Sequence, residues 1–513
     1  MNFLWLIKTE SYKRGVALSV IFNIIAKVAL FILTICIAAF FGSDIKTDIY
    51  FFVYSSMVLL SGFINTIDTT VLIPESMRLR EKEGTAAAMG FLNYFFRIYF
   101  LISIVFVVVM FFFGTKLFGL LSKFSEADII MYKNYFLLGS FYFLFQVLTN
   151  YINNILTSLK FFTIPMIISA VNSCIIIAGI ILLHNQFDVV SVFLGGIAAY
   201  SINLIFLLLA MKKIARWNFF TLDTGIKKKV WSNVFFAEMG QLATLASSFF
   251  PLFLLSGFGR GMISVMNYGK NIADIPNTLV TAQFANVSGI KLNEQFAHND
   301  LAGMNDTFIK TSKLLVFILV PLGCFMFLFA EPIVKLFYKR GNFDMAAVVD
   351  AARFLQLLAI TIFSIGVNAI VSRVFIAIQA IRQAFLYQVV LNIILIAAIW
   401  IFTKYYGAYG YPYGIILVNL VNYILMYFIC KKLAKHIDYA AILKYTGLMI
   451  LINAAIAAAL YFVAAYLFSD TGTLPNLIII FLLYLFILFV LNKIFRLNAE
   501  LSQAIQYIKK KFA

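Results

Sequence analysis

Apolar runs of about 20 residues recur from one end of the chain to the other, separated by short polar segments. A helical run of this length crosses about 30 Å of hydrocarbon. The pattern predicts an all-α polytopic membrane protein of about fourteen transmembrane helices. These predicted helices cover residues 16–42, 50–73, 91–113, 135–157, 161–183, 189–211, 230–257, 262–289, 308–329, 348–378, 383–402, 411–430, 445–467 and 474–495.

Composition supports the membrane assignment. Of the 513 residues, 63% are hydrophobic and only 12% are charged, whereas soluble globular chains carry about 25% charged residues. The formal net charge of +18 is typical of basic cytoplasmic loops, and we expect no nucleic-acid partner. All four cysteines fall inside apolar runs, where they form neither a disulfide framework nor a metal-ligand spacing.

Basic residues also predict the orientation of the chain. They concentrate at both ends and in every second loop, which places the two termini in the cytoplasm, as an even number of helices requires. The residues concerned include Lys8, Lys13, Arg14, Arg78, Arg80, Lys82, Lys212, Lys213, Arg216, Lys431, Lys432, Lys435 and Lys509–Lys511.

The chain contains an internal repeat. The segment 112–124 is similar to 328–343, and Asn172 recurs as Asn392 at nearly the same spacing. Six predicted helices separate the matching positions, so the repeats are parallel. We therefore predict a six-helix bundle at 1–215, a second at 216–440, and an extra helix pair with a basic cytoplasmic tail at 441–513. Two such halves around a central cavity are typical of transporters.

A polar stripe runs along the eighth predicted helix. Its members advance by three and four residues, so they share one helix face: Asn267, Lys270, Asn271, Asp274, Asn277, Thr278 and Thr281. Charges facing lipid at the bilayer centre cost several kcal/mol, about 2.5 or more, so we expect this face to line a cavity. The alternative is that Lys270 and Asp274 form only an intrahelical ion pair.

Other predicted helices carry isolated polar residues that have alternative structural explanations. Asn23 and Lys27 lie in the first helix, Asp68 in the second, and Glu238 in the seventh; Arg353 and Arg373 lie at opposite ends of the tenth. Arg353 is also suited to snorkelling, Asp68 to hydrogen bonding within its bundle, and Lys27 with Glu238 to a buried ion pair. The last two helices carry almost nothing polar, which predicts a face toward lipid or a lipid-like ligand.

Catalysis has little support in the sequence. The three histidines are scattered through loops, and no Walker loop, metal-binding histidine pair or nucleophile elbow is present. The sequence therefore predicts a protein that is not an enzyme and has no cofactor or metal other than a coupling ion.

Five segments carry a family resemblance: "FFGSDIKTDIYFF" (40–52), "SVMNYGKNIADIP" (264–276), "FAEPIVKLFYKRGNFD" (329–344), "VFIAIQAIRQAF" (374–385) and "YGAYGYPYGIILVNLVN" (406–422). They resemble the MurJ/MviN-type lipid II flippases, which belong to the multidrug/oligosaccharidyl-lipid/polysaccharide exporter superfamily. The resemblance covers the first twelve predicted helices in order, and "LFYKRGNFD" is its most specific piece.

The resemblance implies export of an undecaprenyl-diphosphate-linked sugar, lipid II, to the outer leaflet of the bacterial inner membrane for peptidoglycan synthesis. It implies basic cavity residues for the diphosphate and a groove for the isoprenoid beside the extra helix pair. The expected substrate-binding residues are Lys27, Lys270, Asn267, Asn271, Asn23, Arg373 and Arg353. Glu238, Asp68 and Asp274 are candidates for coupling to Na⁺ or H⁺. The expected partners are this substrate and membrane lipids, with the protein as a monomer.

The sequence departs from the family pattern in cationic positions. The first-helix pattern, Ser-Arg followed by Arg-Asp, stands here as Ala26-Lys27 and Leu33-Thr34, and Lys270 takes roughly the place of an arginine in the eighth helix. Lysine lacks the bidentate fork of arginine. The alternatives are therefore a flippase for another lipid-linked oligosaccharide, of exopolysaccharide or O-antigen type, and a cation-coupled multidrug antiporter. A membrane scaffold with a buried polar network is a further alternative.

Overall fold

The structure is a computed structural model that describes residues 12–214, 216–221, 228–259, 261–467 and 474–498. Over this part of the chain the ordered elements are helices, with no β-strand. The chain divides into two compact units, Met1–Ser264 with Arg340–Phe343, and Val265–Lys339 with Asp344–Ala513.

Nine helices belong to the first unit: α1 (Tyr12–Phe41), α2 (Ile45–Ile67), α3 (Ile73–Lys82), α4 (Thr85–Leu121), α5 (Glu126–Met131), α6 (Lys133–Ser158), α7 (Thr163–Phe187), α8 (Val190–Ile214) and α9 (Lys228–Leu255). Helix α10 (Met262–Ala273) starts in the first unit and continues into the second. The second unit contains α11 (Ala282–Ala297), α12 (Leu301–Leu328), α13 (Ala330–Tyr338), α14 (Met345–Ala359), α15 (Ile362–Ala377), α16 (Ile381–Tyr406), α17 (Gly410–Leu433), α18 (Tyr439–Leu467) and α19 (Leu474–Phe495).

The described residues contain 11 helices long and apolar enough to cross a membrane, or up to 12 if α14 and α15, bent by 43°, form one span. All fourteen predicted segments are helical, but the count of fourteen spans is not confirmed. The eighth segment is divided into α10, a π-turn and α11. The eleventh and twelfth, α16 and α17, form one stretch, Arg382–Leu433.

A π-turn interrupts the helical path at two places, Asp68–Leu72 and Asn277–Thr281. Each lies beside a proline, Pro74 in α3 and Pro276 at the cap of the second turn. Proline has no N–H to donate to the carbonyl four residues earlier, so the helix changes register locally. In the first turn the hydroxyl of Thr70 donates to the Thr66 carbonyl at 2.6 Å. This bond helps to satisfy the backbone where the ladder is broken.

The first unit packs around α6, the most buried of the candidate spans. Helices α7 and α8 pass so closely that a Cβ on Gly179 would lie 2.9 Å from the Cα of Gly195. Helix α9 packs against α2 in this unit. The predicted boundary at 215 rests on sequence correspondence between repeats and not on packing, so that domain division stays a prediction.

The second unit packs around α12, which contacts α11, α15 and α18. Residues of α12 such as Leu315, Val316 and Leu319 are fully buried. The last two helices carry few polar side chains, and two of these meet in a hydrogen bond between the helices. Buried Asn453 of α18 accepts a hydrogen bond from the hydroxyl of Tyr484 in α19 at 2.8 Å. One side of α18 packs against α12, and large apolar side chains such as Leu451 and Phe462 on α18 are exposed.

Candidate functional site

The charged pair of the polar stripe is formed in the structure. The Lys270 ammonium donates to the Asp274 carboxylate one turn later, and both side chains are 43% exposed. The intrahelical pairing considered from the sequence is therefore present. Asn267 and Asn271 are half-buried on the same stretch of helix.

The close approach at Gly269 shows which side of α10 packs against α14. A Cβ on Gly269 would lie 2.4 Å from the carbonyl oxygen of Ala351, so α10 approaches α14 at this position closely enough to exclude any side chain. The preceding residue, Tyr268, is fully buried, with its ring 5.0 Å from that of Tyr338. Because Gly269 and Tyr268 occupy the packed side, Lys270 retains exposure.

Each candidate arginine has its own local partner in the second unit. The Arg373 guanidinium donates to the Asn286 side-chain oxygen at 2.9 Å. Exposed Arg353 lies over the ring of Tyr409 at 4.4 Å, and the Tyr409 hydroxyl donates to Asp350 at 2.7 Å. The two arginines therefore contact different residues of the second unit.

Helix α1 presents a lysine that lacks an anionic partner. Lys27 is exposed, and Asn23, one turn earlier, is half-buried. In the described ranges of the chain, Lys27 forms no ion pair and Glu238 accepts no hydrogen bond. The ion pair between them that the sequence left open is therefore not formed.

Asp68 lies in a buried hydrogen-bond network at the π-turn of the first unit. The Tyr99 hydroxyl of α4 donates to one carboxylate oxygen at 2.7 Å, and the Asn154 amide of α6 donates to the other at 3.1 Å. The Asn154 amide also donates to the Asn65 side-chain oxygen at 2.5 Å. The expectation that Asp68 hydrogen-bonds within its bundle is confirmed.

Glu238 of α9 has the opposite surroundings. Both of its carboxylate oxygens are fully buried, and neither accepts a hydrogen bond from a described residue. Helix α9 packs against the π-turn that starts with Asp68, so the two carboxyl groups lie on neighbouring elements of the first unit.

Sequence reasoning missed Tyr99 and Asn154, the two donors to Asp68. It also missed a cavity of about 130 Å³ in the first unit, which is lined by Tyr54, Tyr142 and Tyr200 among others. The i, i+4 spacing of Tyr50 and Tyr54, whose rings stack at 5.8 Å, was the available signal for an aromatic face.

The described side chains offer charged groups of both signs. They contain no group of three or more His, Cys, Asp or Glu residues placed to hold a metal ion. What they offer is partly exposed cations on α1 and α10 and buried carboxyls on α2 and α9.

Comparison with known proteins gives concordant matches. A family model described as "Lipid II flippase MurJ" matches residues 37–483. The probable lipid II flippase MurJ of Borreliella burgdorferi is 22% identical over 483 residues, covering 89% of this chain and 92% of the relative. That of Rickettsia prowazekii is 24% identical over 242 residues, covering 45% of each chain.

Solved structures show the same fold. A lipid II flippase MurJ in an inward closed conformation superimposes with a TM-score of 0.78 at 18% identity, covering 93% of this chain and 99% of that one. An inward-facing multidrug resistance transporter of the MATE family gives a TM-score of 0.65 at 13% identity, covering 86% and 98%. The family model spans most of the sequence, including α10 with its polar stripe, and the chain therefore belongs to the lipid II flippase MurJ family.

Proposed function

We propose that this protein flips lipid II from the cytoplasmic to the outer leaflet of the bacterial inner membrane for peptidoglycan synthesis. The observation that carries the proposal is the family match over residues 37–483. The relatives from Borreliella burgdorferi and Rickettsia prowazekii are named probable lipid II flippases.

The physical problem is the polar head of the substrate. Moving a diphosphate and its sugars into hydrocarbon without hydrogen-bond or charge partners has a free-energy cost far above thermal energy. For an isolated ion the Born estimate is on the order of tens of kcal/mol. On α1, exposed Lys27 offers a cation and half-buried Asn23 an amide donor. On α10, partly exposed Lys270 offers a cation, with amide donors from half-buried Asn267 and Asn271. We propose that each of these sets contacts the diphosphate.

Arg353 and Arg373 have a second role in the proposal. Both reach their present partners through hydrogen bonds or ring stacking, which a phosphate oxygen is able to replace. The isoprenoid tail stays in lipid and follows the apolar surfaces of α18 and α19. The two halves alternate between openings to either leaflet, as in other transporters built from repeats.

At position 270 this sequence has lysine where the family pattern has arginine. Another polyprenyl-linked oligosaccharide is therefore a second candidate substrate class. Lysine binds phosphate as a point charge, without the paired hydrogen bonds of a guanidinium. The diphosphate is common to both substrate classes, so the assay must separate them by the sugar.

The deciding experiment is rescue of a bacterium depleted of its own lipid II flippase. Expression of this protein should restore growth and cell shape. A matched strain that expresses the double variant Lys27→Gln, Lys270→Gln at equal protein level should lyse. Failure of the unaltered protein to rescue, together with flipping of a different polyprenyl glycan in vesicles, would transfer the assignment to the second substrate class.

A further inference from the structure

The first unit holds two carboxyl groups inside apolar helices without a cationic partner. Asp68 is 1% exposed, and Asp68 and Glu238 lie within the candidate spans Ile45–Lys82 and Lys228–Leu255. Neither forms an ion pair with a residue that the structure describes. Two uncompensated carboxylates in a medium of low dielectric constant are strongly unfavourable. At least one of them must therefore be neutralised.

The hydrogen bonds favour Asp68 as the group that keeps its charge. Both of its oxygens accept from donors, the Tyr99 hydroxyl at 2.7 Å and the Asn154 amide at 3.1 Å. Donors directed at a carboxylate stabilise its ionised form. Tyr99 is itself buried, so this arrangement is shielded from water.

The surroundings of Glu238 favour the opposite state. No described residue donates to either carboxylate oxygen, and both atoms are fully buried. Desolvation without donors disfavours the charged form, and α9 packs against the π-turn that holds Asp68, so a charge on either acid disfavours a charge on the other. Tyr99 on α4 and Tyr151 on α6 are ionisable groups near Asp68, and neither supplies a positive charge.

A path for exchange lies beside the pair. A cavity of about 240 Å³ lies between α2 and α9, with polar lining from Thr66, Gln241, Thr244 and Ser248. Gln241 follows Glu238 by one helical turn, and Thr66 precedes Asp68 by two residues. Most of the lining is apolar, and the four named side chains supply its polar part. A space of this size has room for several waters, since each needs roughly 30 Å³ of liquid volume.

We propose that Glu238 is a proton-binding site of the first unit, loaded and unloaded through the cavity between α2 and α9 while Asp68 remains an anion. Loading forms one O–H bond on a Glu238 carboxylate oxygen with a proton from water and cancels that charge. Unloading returns the proton to water. We assign a proton and not Na⁺ to the site because a single hydrogen satisfies a buried carboxyl oxygen that has no donor, whereas Na⁺ takes several oxygen ligands. Coupling of this step to transport rests on the proposed function.

The first test needs no substrate. Infrared difference spectra of the full-length protein in lipid, taken between acidic and alkaline buffer, report the C=O stretch of protonated carboxyl groups. We expect a buried carboxyl band that is lost in Glu238→Gln and kept in Glu126→Gln, an exposed carboxyl on α5. Tyr99→Phe should move the pH of the transition, since it removes one donor from Asp68. A band unaffected by Glu238→Gln would overturn the proposal.

The second test measures coupling in vesicles. Flipping of a polyprenyl-diphosphate glycan by the unaltered protein should respond to an imposed pH gradient, and Glu238→Gln should remove the response. A response to a Na⁺ gradient alone would overturn the proton assignment. An infrared band that depends on Glu238 in a protein that flips no such glycan would instead refute the proposed function and leave the site intact.

Discussion

Asp48 and Ser264 are joined by two hydrogen bonds across 216 positions of sequence, both to the same carboxylate oxygen. The backbone N–H of Ser264 donates at 2.7 Å and its hydroxyl at 2.6 Å. Ser264 lies in the first turn of α10, whose N–H groups have no partner inside the helix. The 2% exposed carboxylate of Asp48 therefore caps α10 in a buried setting, and the positive end of the helix dipole favours its charge.

The first prediction concerns this cap. Asp48→Ala should destabilise the protein by about 1–3 kcal/mol, because two buried donors of Ser264 lose their acceptor. Ser264→Ala should cost less, since the backbone bond remains. Thermal unfolding in detergent measures both, with Asp306→Ala as the control. Asp306 forms an exposed ion pair with Lys310 at 2.8 Å, worth about 0–1 kcal/mol. Equal losses in all three variants would contradict a specific role of the cap.

A second prediction concerns Gly341, whose backbone lies close to the carbonyl group of Ala39 in the first unit. Gly341 has φ +54, and a Cβ there would lie 2.1 Å from the Ala39 carbonyl oxygen. The neighbouring Asn342 N–H donates to that same carbonyl at 2.9 Å, so the loop has no room to withdraw. Gly341→Ala should lower the unfolding temperature strongly. Gly447→Ala, in α18 with open space around it, should be neutral or stabilising by up to about 1 kcal/mol. A tolerated Gly341→Ala would show that this contact is not maintained.

The third prediction separates two roles of Lys270. If the lysine contacts the substrate diphosphate, Lys270→Gln should reduce transport at least tenfold, since a hydrogen bond to a charged group is worth about 1.5–3 kcal/mol. Lys270→Arg should keep most activity because the charge is retained. If the lysine only neutralises Asp274, the double variant Lys270→Gln, Asp274→Asn should recover. Complementation at matched protein level distinguishes the two, and recovery in the double variant would remove Lys270 from the substrate site.

A fourth prediction concerns the last two helices. Tyr484→Phe should destabilise the protein by about 0.6–1.7 kcal/mol, because Asn453 loses its interhelical donor within the membrane. Tyr461→Phe removes a hydroxyl from an exposed tyrosine of α18 and serves as the control. We expect only the first change to lower the unfolding temperature. Loss of transport with no loss of stability in Tyr484→Phe would mean that the hydroxyl serves the substrate and not the packing.

The fifth prediction is topological. The distribution of basic loops predicts that both termini lie in the cytoplasm and residues 335–345 on the outer side. A single cysteine introduced at Lys339 should react with a membrane-impermeant thiol reagent only from the outer side. A single cysteine introduced at Lys213 should react only from the cytoplasmic side. The reverse pattern would invert the proposed direction of every helix.

Much of the helical fold was predictable from sequence because hydrocarbon leaves so few solutions. A backbone in lipid must satisfy its own hydrogen bonds, so each apolar run of membrane length becomes a helix. Each predicted segment, from 16–42 to 474–495, is helical in the structure. The stripe on α10 was also readable, since side-chain spacing fixes which residues share a helix face. Its Lys270–Asp274 pair needs no partner from elsewhere in the chain.

The number of spans was less predictable, because it depends on how helices break and join. The π-turn at Asn277–Thr281 and the polarity of its flanks remove the eighth segment from the apolar spans. The number of apolar residues in a segment does not show whether a proline bends the helix or is accommodated by a π-turn.

Only the tertiary structure decided how the buried acids differ. In sequence, Asp68 and Glu238 are each a single acid in a predicted apolar helix, Asp48 lies two residues before one, and nothing local ranks the three. In the folded chain Asp48 caps the start of α10, and Asp68 accepts hydrogen bonds from donors on α4 and α6. Glu238 accepts no hydrogen bond from a described residue. The sequence by itself determined which residues enter the membrane as helices, because that depends on the hydrophobicity of consecutive residues. The state of each buried charge depends on the side chains that distant helices bring within hydrogen-bonding distance, and only the folded chain sets that distance.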